Sequence, residues 1–151
     1  FSAVIEQARG MDGFAETKEP KTTLTGFGHA AVMGVAGDVL QAVSEANLKR
    51  LVLIGGCDGF EGERNYFTEL ARALPDEAAI LTLGCGKYRV LNKVDMAATI
   101  PNTGIPRVLD MGQCNDAYSA VHVALELAKA LDCGVNDLPL SLALSWLEQK
   151  A

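Results

Sequence analysis

Apolar positions along this chain follow two rhythms, and the two alternate. The run LVLIG at 51–55 is continuously apolar and ends in glycine, the pattern of a strand covered on both faces. AAILTL at 78–83 and RVLDM at 107–111 repeat it. Residues 22–27 and 139–145 are further strand candidates, although LSLALSWL also fits a helix. Between these runs the spacing turns helical. Residues 30–47 predict a helix with Ala31, Val35, Val39 and Val43 on one stripe, and 64–74 another, with Phe67, Leu70, Ala71 and Leu74 inward and Pro75 ending it. Residues 115–131 predict the clearest helix, burying Ala117, Val121, Ala124, Leu125 and Ala128, whereas 88–106 reads as irregular. Strand-helix alternation of this kind predicts an α/β, Rossmann-like three-layer domain, with a mainly parallel sheet of about four to five strands flanked by helices. The polar linker ETKEPK separates an N-terminal helical segment and linker, 1–21, from the α/β domain, 22–151.

Composition narrows the partners. With 151 residues, 49% apolar and 21% charged, the chain has the make-up of one globular domain with a real core. A net charge of −6 argues against nucleic acid or an anionic membrane, which are held by clustered Lys and Arg, and points to a small molecule or a protein. The longest apolar stretch, 138–147, is broken by Pro139, Ser141 and Ser145 and falls short of the roughly 20 residues that cross a bilayer. Four cysteines without a signal-like start favour a reducing, cytoplasmic setting with thiols free or metal-bound. The chain opens inside helix-like FSAVIEQARGM without an initiator Met and closes directly after an apolar segment, so it reads as a piece of a longer protein.

Parallel strands deliver whatever follows them to one sheet edge, where ligands of such folds bind. Cys57 follows LVLIGG, Cys85 follows AAILTLG, and Cys114 follows RVLDMGQ. The first two thiols are 28 residues apart and the next two 29, each about one strand-helix-strand unit. Glu148 follows the last apolar run, with Lys150 two residues on. Three thiols and a carboxylate on one edge suit a soft metal, either iron-sulfur, zinc or copper(I). Glycine flanks each thiol, in GGCDG, LGCGK and MGQC, which leaves room for a bulky ligand and frees amides to donate to it. The competing reading is that glycine merely ends strands and cysteine is a small core residue. Cys133 follows a helix rather than a strand and reads as structural.

The segments GGCDG, LTLGCGKYR, GIPRVLDMGQCNDAYSA and NDLPLSLALSWLEQKA, in this order and spacing, resemble the C-terminal domain of hybrid cluster protein, the prismane or hydroxylamine reductase family. The similarity runs from Thr25 to the end of the chain. Nickel carbon monoxide dehydrogenase is a more distant relative, and QCNDAYSA and SWLEQKA are more similar to the hydroxylamine reductase branch. The resemblance implies that Cys57 carries a persulfide bridging to an iron-sulfur-oxygen hybrid cluster of the 4Fe-2S-2O type. It also implies that Cys85 and Cys114 are further thiolate ligands, that Glu148 is a carboxylate ligand on the oxygen-bridged side, and that Lys150 stands near the substrate. The implied oxidoreductase activity is two-electron reduction of hydroxylamine to ammonia and water, with nitric oxide as a second substrate and a redox donor protein as partner.

Two departures bound that implication. The family draws a His, a Glu and another Cys from a preceding domain, and a second iron-sulfur cluster from an N-terminal region, and none of these is in the chain. By itself, then, the chain is expected to be inactive. VLNKVDMAATIPNTG, between Cys85 and Cys114, is also a few residues longer than the family pattern. The other classes left open are a non-enzymatic α/β domain that binds zinc or nothing, and a nickel-iron domain like that of carbon monoxide dehydrogenase. Of the remaining polar residues, His29 either faces the edge or is a surface group, and His122 shares a solvated stripe with Tyr118, Glu126 and Lys129. Asp58 and Asp116 either orient ligands or cap helices. Trp146 reads as core, and GFGH lacks the third glycine and the acidic residue of a dinucleotide site.

Overall fold

The structure is a computed structural model that describes residues 1–20, 22, 28–56, 62–91 and 93–145. Its elements are α1 (Ser2–Arg9), α2 (His29–Gly34), α3 (Ala36–Ser44), β1 (Arg50–Gly55), α4 (Tyr66–Ala73), β2 (Ala78–Thr82), α5 (Lys87–Leu91), β3 (Val108–Asp110), α6 (Ala117–Ala130) and β4 (Leu140–Leu144). The strand expected at 22–27 lies outside the described residues, except for Thr22.

All pairings are parallel, in the order β3-β2-β1-β4. The continuous apolar runs explain themselves here, because alternate residues of each strand are buried on opposite faces. On one face Val52, Ile54, Ile80 and Val108 pack with Phe67 and Ala71 of α4 and Val90 of α5. On the other, Leu51, Leu53, Leu81 and Leu109 pack with Val39 and Ala42 of α3 and Val123, Leu127 and Ala128 of α6. The chain steps from β1 to β2 to β3, and α6 then carries it back across the second face to place β4 beside β1. The direction of travel reverses between β1 and β4, the point at which such sheets open a crevice beyond their carboxyl ends.

The structure corrects several expectations. The helix predicted over 30–47 is two helices, broken at Val35, whose φ of −109° and ψ of 11° are not helical. Gly34 and Gly37 flank that residue and weaken continuation. Val35 is therefore 42% exposed and Ala31 is exposed, while Val39 and Ala42 are buried. Helix α6 is rotated from its predicted stripe: Ser119, Val123, Leu127 and Ala128 are buried, Ala117 is exposed, and Val121 and Leu125 are 57% and 45% exposed. The last two, with Leu142 and Leu144 of β4, line an apolar cleft of about 390 Å³. The stretch 88–106 is not wholly irregular. It overlaps α5, and the buried Ile100 and Ile105 anchor its remainder around an isolated Thr99–Pro106 bridge. Helix α1 forms as expected but buries no residue. No described helix is long and apolar enough to cross a membrane.

The two glycines closing β1 have different neighbours. A Cβ on Gly56 would sit 1.9 Å from Cζ of Phe67, whose ring is buried against the sheet, whereas one on Gly55 would meet Cδ2 of the exposed Leu144 at 2.7 Å. Leu144 can swing aside and Phe67 cannot. Gly56→Ala is therefore expected to cost about 2–3 kcal/mol and Gly55→Ala about 1 kcal/mol or less. Urea midpoints of the two variants check this, and equal shifts would contradict it.

Candidate metal centre at the carboxyl edge

Register places the candidate thiols at equivalent steps. Ile54 pairs with Thr82, and Thr82 with Asp110. Cys57 and Cys85 each come three residues beyond those partners, and Cys114 comes four beyond. On the remaining strand Gly55 pairs with Leu144, four residues before Glu148. Cys57, Asp58, Trp146, Glu148 and Lys150 lie outside the described residues, so the described part of the site is the Cys85 and Cys114 side.

There the ends of β2 and β3 are tied together. Beyond β2, the Leu83 amide still donates to the Ile54 carbonyl at 3.1 Å, and the Gly84 amide donates to the Gly112 carbonyl at 3.1 Å. Gly84 and Gly112 have φ of +81° and +100°, left-handed values that only glycine takes at little cost. A Cβ on Gly84 would lie 3.7 Å from the Cβ of Cys114, so the turn that presents Cys85 passes directly beside the Cys114 side chain. Cys85 is exposed, Cys114 half-buried, and both are free thiols.

Beneath the two turns lies a buried ion pair. Lys87 Nζ donates to Asp110 Oδ1 at 2.8 Å and to the Gly112 carbonyl at 3.0 Å, with the side chains 3% and 0% exposed. The same Oδ1 accepts the Gly112 amide at 2.8 Å, and the ammonium stands 5.4 Å from the centroid of the Tyr88 ring. Among the described residues Asp110 Oδ2 is buried without a hydrogen-bond partner. Lys87 thus ties the turn bearing Cys85 to the turn leading to Cys114. The amides of Gly84 and Gly112 are spent on this bracing, so these two are not among the amides that glycine turns would free for a ligand.

The sequence reading missed Lys87 and Asp110. Their signal was present as a lysine within LGCGKYR and a carboxylate ending the apolar run RVLD, two opposite charges where their neighbours are buried. Asp116 does not cap a helix amide. Its Oδ1 accepts from the Ser119 hydroxyl at 2.6 Å, and that hydroxyl also meets Nδ1 of His29 at 3.1 Å. His29 therefore stands on this edge, and His122 is not part of a purely solvated stripe: it is half-buried, with its ring centroid 4.9 Å from that of His29. Its predicted stripe neighbours Glu126 and Lys129 do pair at the surface, and the ammonium lowers the Glu126 carboxyl below its ordinary range. Cys133, half-buried beyond α6, donates its amide to Ala128, as a structural turn would.

Among the described residues no three His, Cys, Asp or Glu side chains form a metal-holding group. The donors present nonetheless fit a soft metal or metal-sulfur group, because two free thiols follow adjacent strand ends, one exposed and one half-buried.

The family model described as the Prismane/CO dehydrogenase family matches residues 1–151. Curated relatives named hydroxylamine reductase are 56% identical in Rhodospirillum rubrum, 54% in Rhodobacter capsulatus and 51% in Syntrophobacter fumaroxidans, each over all 151 residues. The chain spans 27% of the length of each of these relatives. Among solved structures, a nickel-free carbon monoxide dehydrogenase from a Thermococcus species matches 82% of the chain and 22% of its own, with a TM-score of 0.67 at 24% identity. Carbon monoxide dehydrogenase IV from Carboxydothermus hydrogenoformans matches 80% of the chain and 24% of its own, with a TM-score of 0.64 at 22% identity. At these identities the structures show a shared fold.

Removing one partner of a buried pair strands the other charge, so Lys87→Met is expected to destabilise the protein by about 3–5 kcal/mol. Adding Asp110→Leu removes the stranded carboxylate and recovers part of that loss, with the remainder due to the Gly112 amide losing its acceptor. Urea unfolding of the single and double variants checks both statements. A double variant no more stable than Lys87→Met would contradict them.

Proposed function

Because the chain belongs to the Prismane/CO dehydrogenase family, we propose that it is the cluster-ligating C-terminal part of a hydroxylamine reductase, acting within a longer protein. The observation that carries this reading is identity of 51–56% with hydroxylamine reductases over every residue of the chain. The carbon monoxide dehydrogenase likeness is one of fold at 24% identity or less, and it makes a nickel-iron centre the weaker reading.

In this reading Cys57, as a persulfide, together with Cys85, Cys114 and Glu148, holds a hybrid iron-sulfur-oxygen cluster of the 4Fe-2S-2O type. The remaining ligands and a second iron-sulfur cluster come from the rest of the protein, and a redox donor protein in the cytoplasm supplies electrons. Soft thiolates suit the sulfur-bridged irons, and the hard carboxylate suits an iron that exchanges oxygen and nitrogen ligands. When bound, the cluster would supply the two electrons that the reaction consumes. The reaction is NH2OH + 2 e− + 2 H+ → NH3 + H2O, in which the N–O bond breaks, nitrogen is reduced and the oxygen leaves as water. Lys150 stabilises or protonates that leaving oxygen as a general acid. Nitric oxide is a second candidate substrate. The turns braced by Lys87 and Asp110 hold Cys85 and Cys114 at a fixed separation, so less ordering entropy is lost when the cluster binds.

Cys57→Ala in the full-length protein is expected to lower iron and acid-labile sulfide together and to reduce hydroxylamine turnover to background. Unchanged iron content and turnover would overturn the assignment. Nickel in the purified protein would instead favour the carbon monoxide dehydrogenase reading, and zinc without sulfide a non-enzymatic domain.

A further inference from the structure

We propose that His29 is a proton-transfer residue of this edge, oriented by Ser119 and Asp116. A serine hydroxyl has one hydrogen, and at 2.6 Å the Ser119 hydroxyl gives it to the Asp116 carboxylate, which has none to offer. Towards His29, 3.1 Å away, Ser119 therefore presents a lone pair, and the hydrogen in that contact belongs to Nδ1 of the imidazole. The chain of bonds runs from His29 to Ser119 to Asp116 in one direction. It fixes the tautomer that carries hydrogen on Nδ1 and makes Nε2 the nitrogen that gains and loses a proton.

Position supports the role. Ser119 is in the first turn of α6, which follows directly from the Cys114–Asp116 turn, and Asp116 Oδ2 would lie 3.4 Å from a Cβ on Gly112, in the loop that leads to Cys114. His29 is half-buried, held edge-on to the rings of His122 at 4.9 Å and Tyr118 at 6.2 Å between centroids, so its ring is oriented yet open to exchange with solvent. The ionisable groups facing it are Asp116, in the turn before α6, and Tyr118 and His122 of α6, with Glu126 and Lys129 further along that helix. Helix α3, which also packs on α2, has Asp38 as its one ionisable side chain.

The proposal rests on the reductase reading above, whose reaction consumes two protons per hydroxylamine. The imidazolium gives one of them from Nε2 to the substrate nitrogen as the N–O bond breaks, returns to the neutral form with hydrogen on Nδ1, and is reprotonated from solvent. Electrons come from the redox donor, and the second proton enters by Lys150.

The test uses the full-length holoenzyme. His29→Gln is expected to keep iron, acid-labile sulfide and the cluster's EPR signature while kcat for hydroxylamine falls by about 10²-fold. KM stays close to the unmodified value, and added imidazole restores part of the rate. Ser119→Ala, which keeps the imidazole but releases its tautomer, gives a smaller loss. A separate readout needs no turnover: nitrogen-15 NMR of the histidine rings in cluster-free full-length protein should show hydrogen on Nδ1 of His29, and Ser119→Ala should lose that preference. Unchanged kcat in a fully loaded His29→Gln enzyme overturns the proposal. So does a rate loss that follows the loss of iron, which would make His29 structural or a ligand. An unmodified holoenzyme that does not reduce hydroxylamine overturns the reductase reading instead, and with it the proton's destination.

Discussion

The carboxyl edge of this sheet depends on one buried ion pair. Parallel strands bring their ends to a common line, but the turns that follow are short, rich in glycine and free to take many shapes. Lys87 removes that freedom at two of them, gripping the Asp110 carboxylate and the Gly112 carbonyl from the far side of the Gly84 turn. Two charges taken out of water repay the desolvation only where geometry is good, and here each is met by more than one partner. What the pair contributes is specificity of shape, since the turn that bears Cys85 and the turn that leads to Cys114 are held to each other. The exposed Lys49–Glu77 pair at the opposite edge is a contrast, because solvent screens it and it links two strand starts that the ladder already joins.

Much of this architecture was legible in the sequence because parallel strands leave an unambiguous trace. Continuous apolar runs that end in glycine gave β1, β2 and β3 within a residue or two, and the even spacing of Cys57, Cys85 and Cys114 followed from the strand-helix repeat. What was hidden depends on neighbours rather than on local pattern. The break at Val35 arises from the glycines on either side of it, and an averaged helical period smooths over such a break. The rotation of α6 is set by which side of the sheet β4 occupies, a fact of topology that Val121 and Leu125 cannot announce.

The polar core of the edge was the least legible part. Lys87 and Asp110 are 23 residues apart, and His29 and Ser119 are 90 apart, so no local window holds either pair. His122 was read from its own helix, where steps of three and four make a polar stripe. The imidazole that faces it belongs to a helix that precedes β1, brought there by the packing of α2 on α6. Family resemblance proposes ligands, because its motifs are long. It says less about the residues that hold those ligands still, whose identity is dictated by tertiary contact.

The cleft between α6 and β4 bears on how such a chain behaves when made. Leu142 and Leu144 are 60% and 55% exposed on a strand paired along only one side among the described residues, with Val121 and Leu125 exposed nearby. An apolar edge strand of this sort is a template for further strands, and an uncovered apolar surface recruits chaperones and neighbours alike. Within a protein nearly four times as long, as its relatives are, such a face costs nothing if other chain covers it. Expressed as a free piece, the same face governs solubility, and detergents or a fused partner would do more for its yield than any change at the thiols.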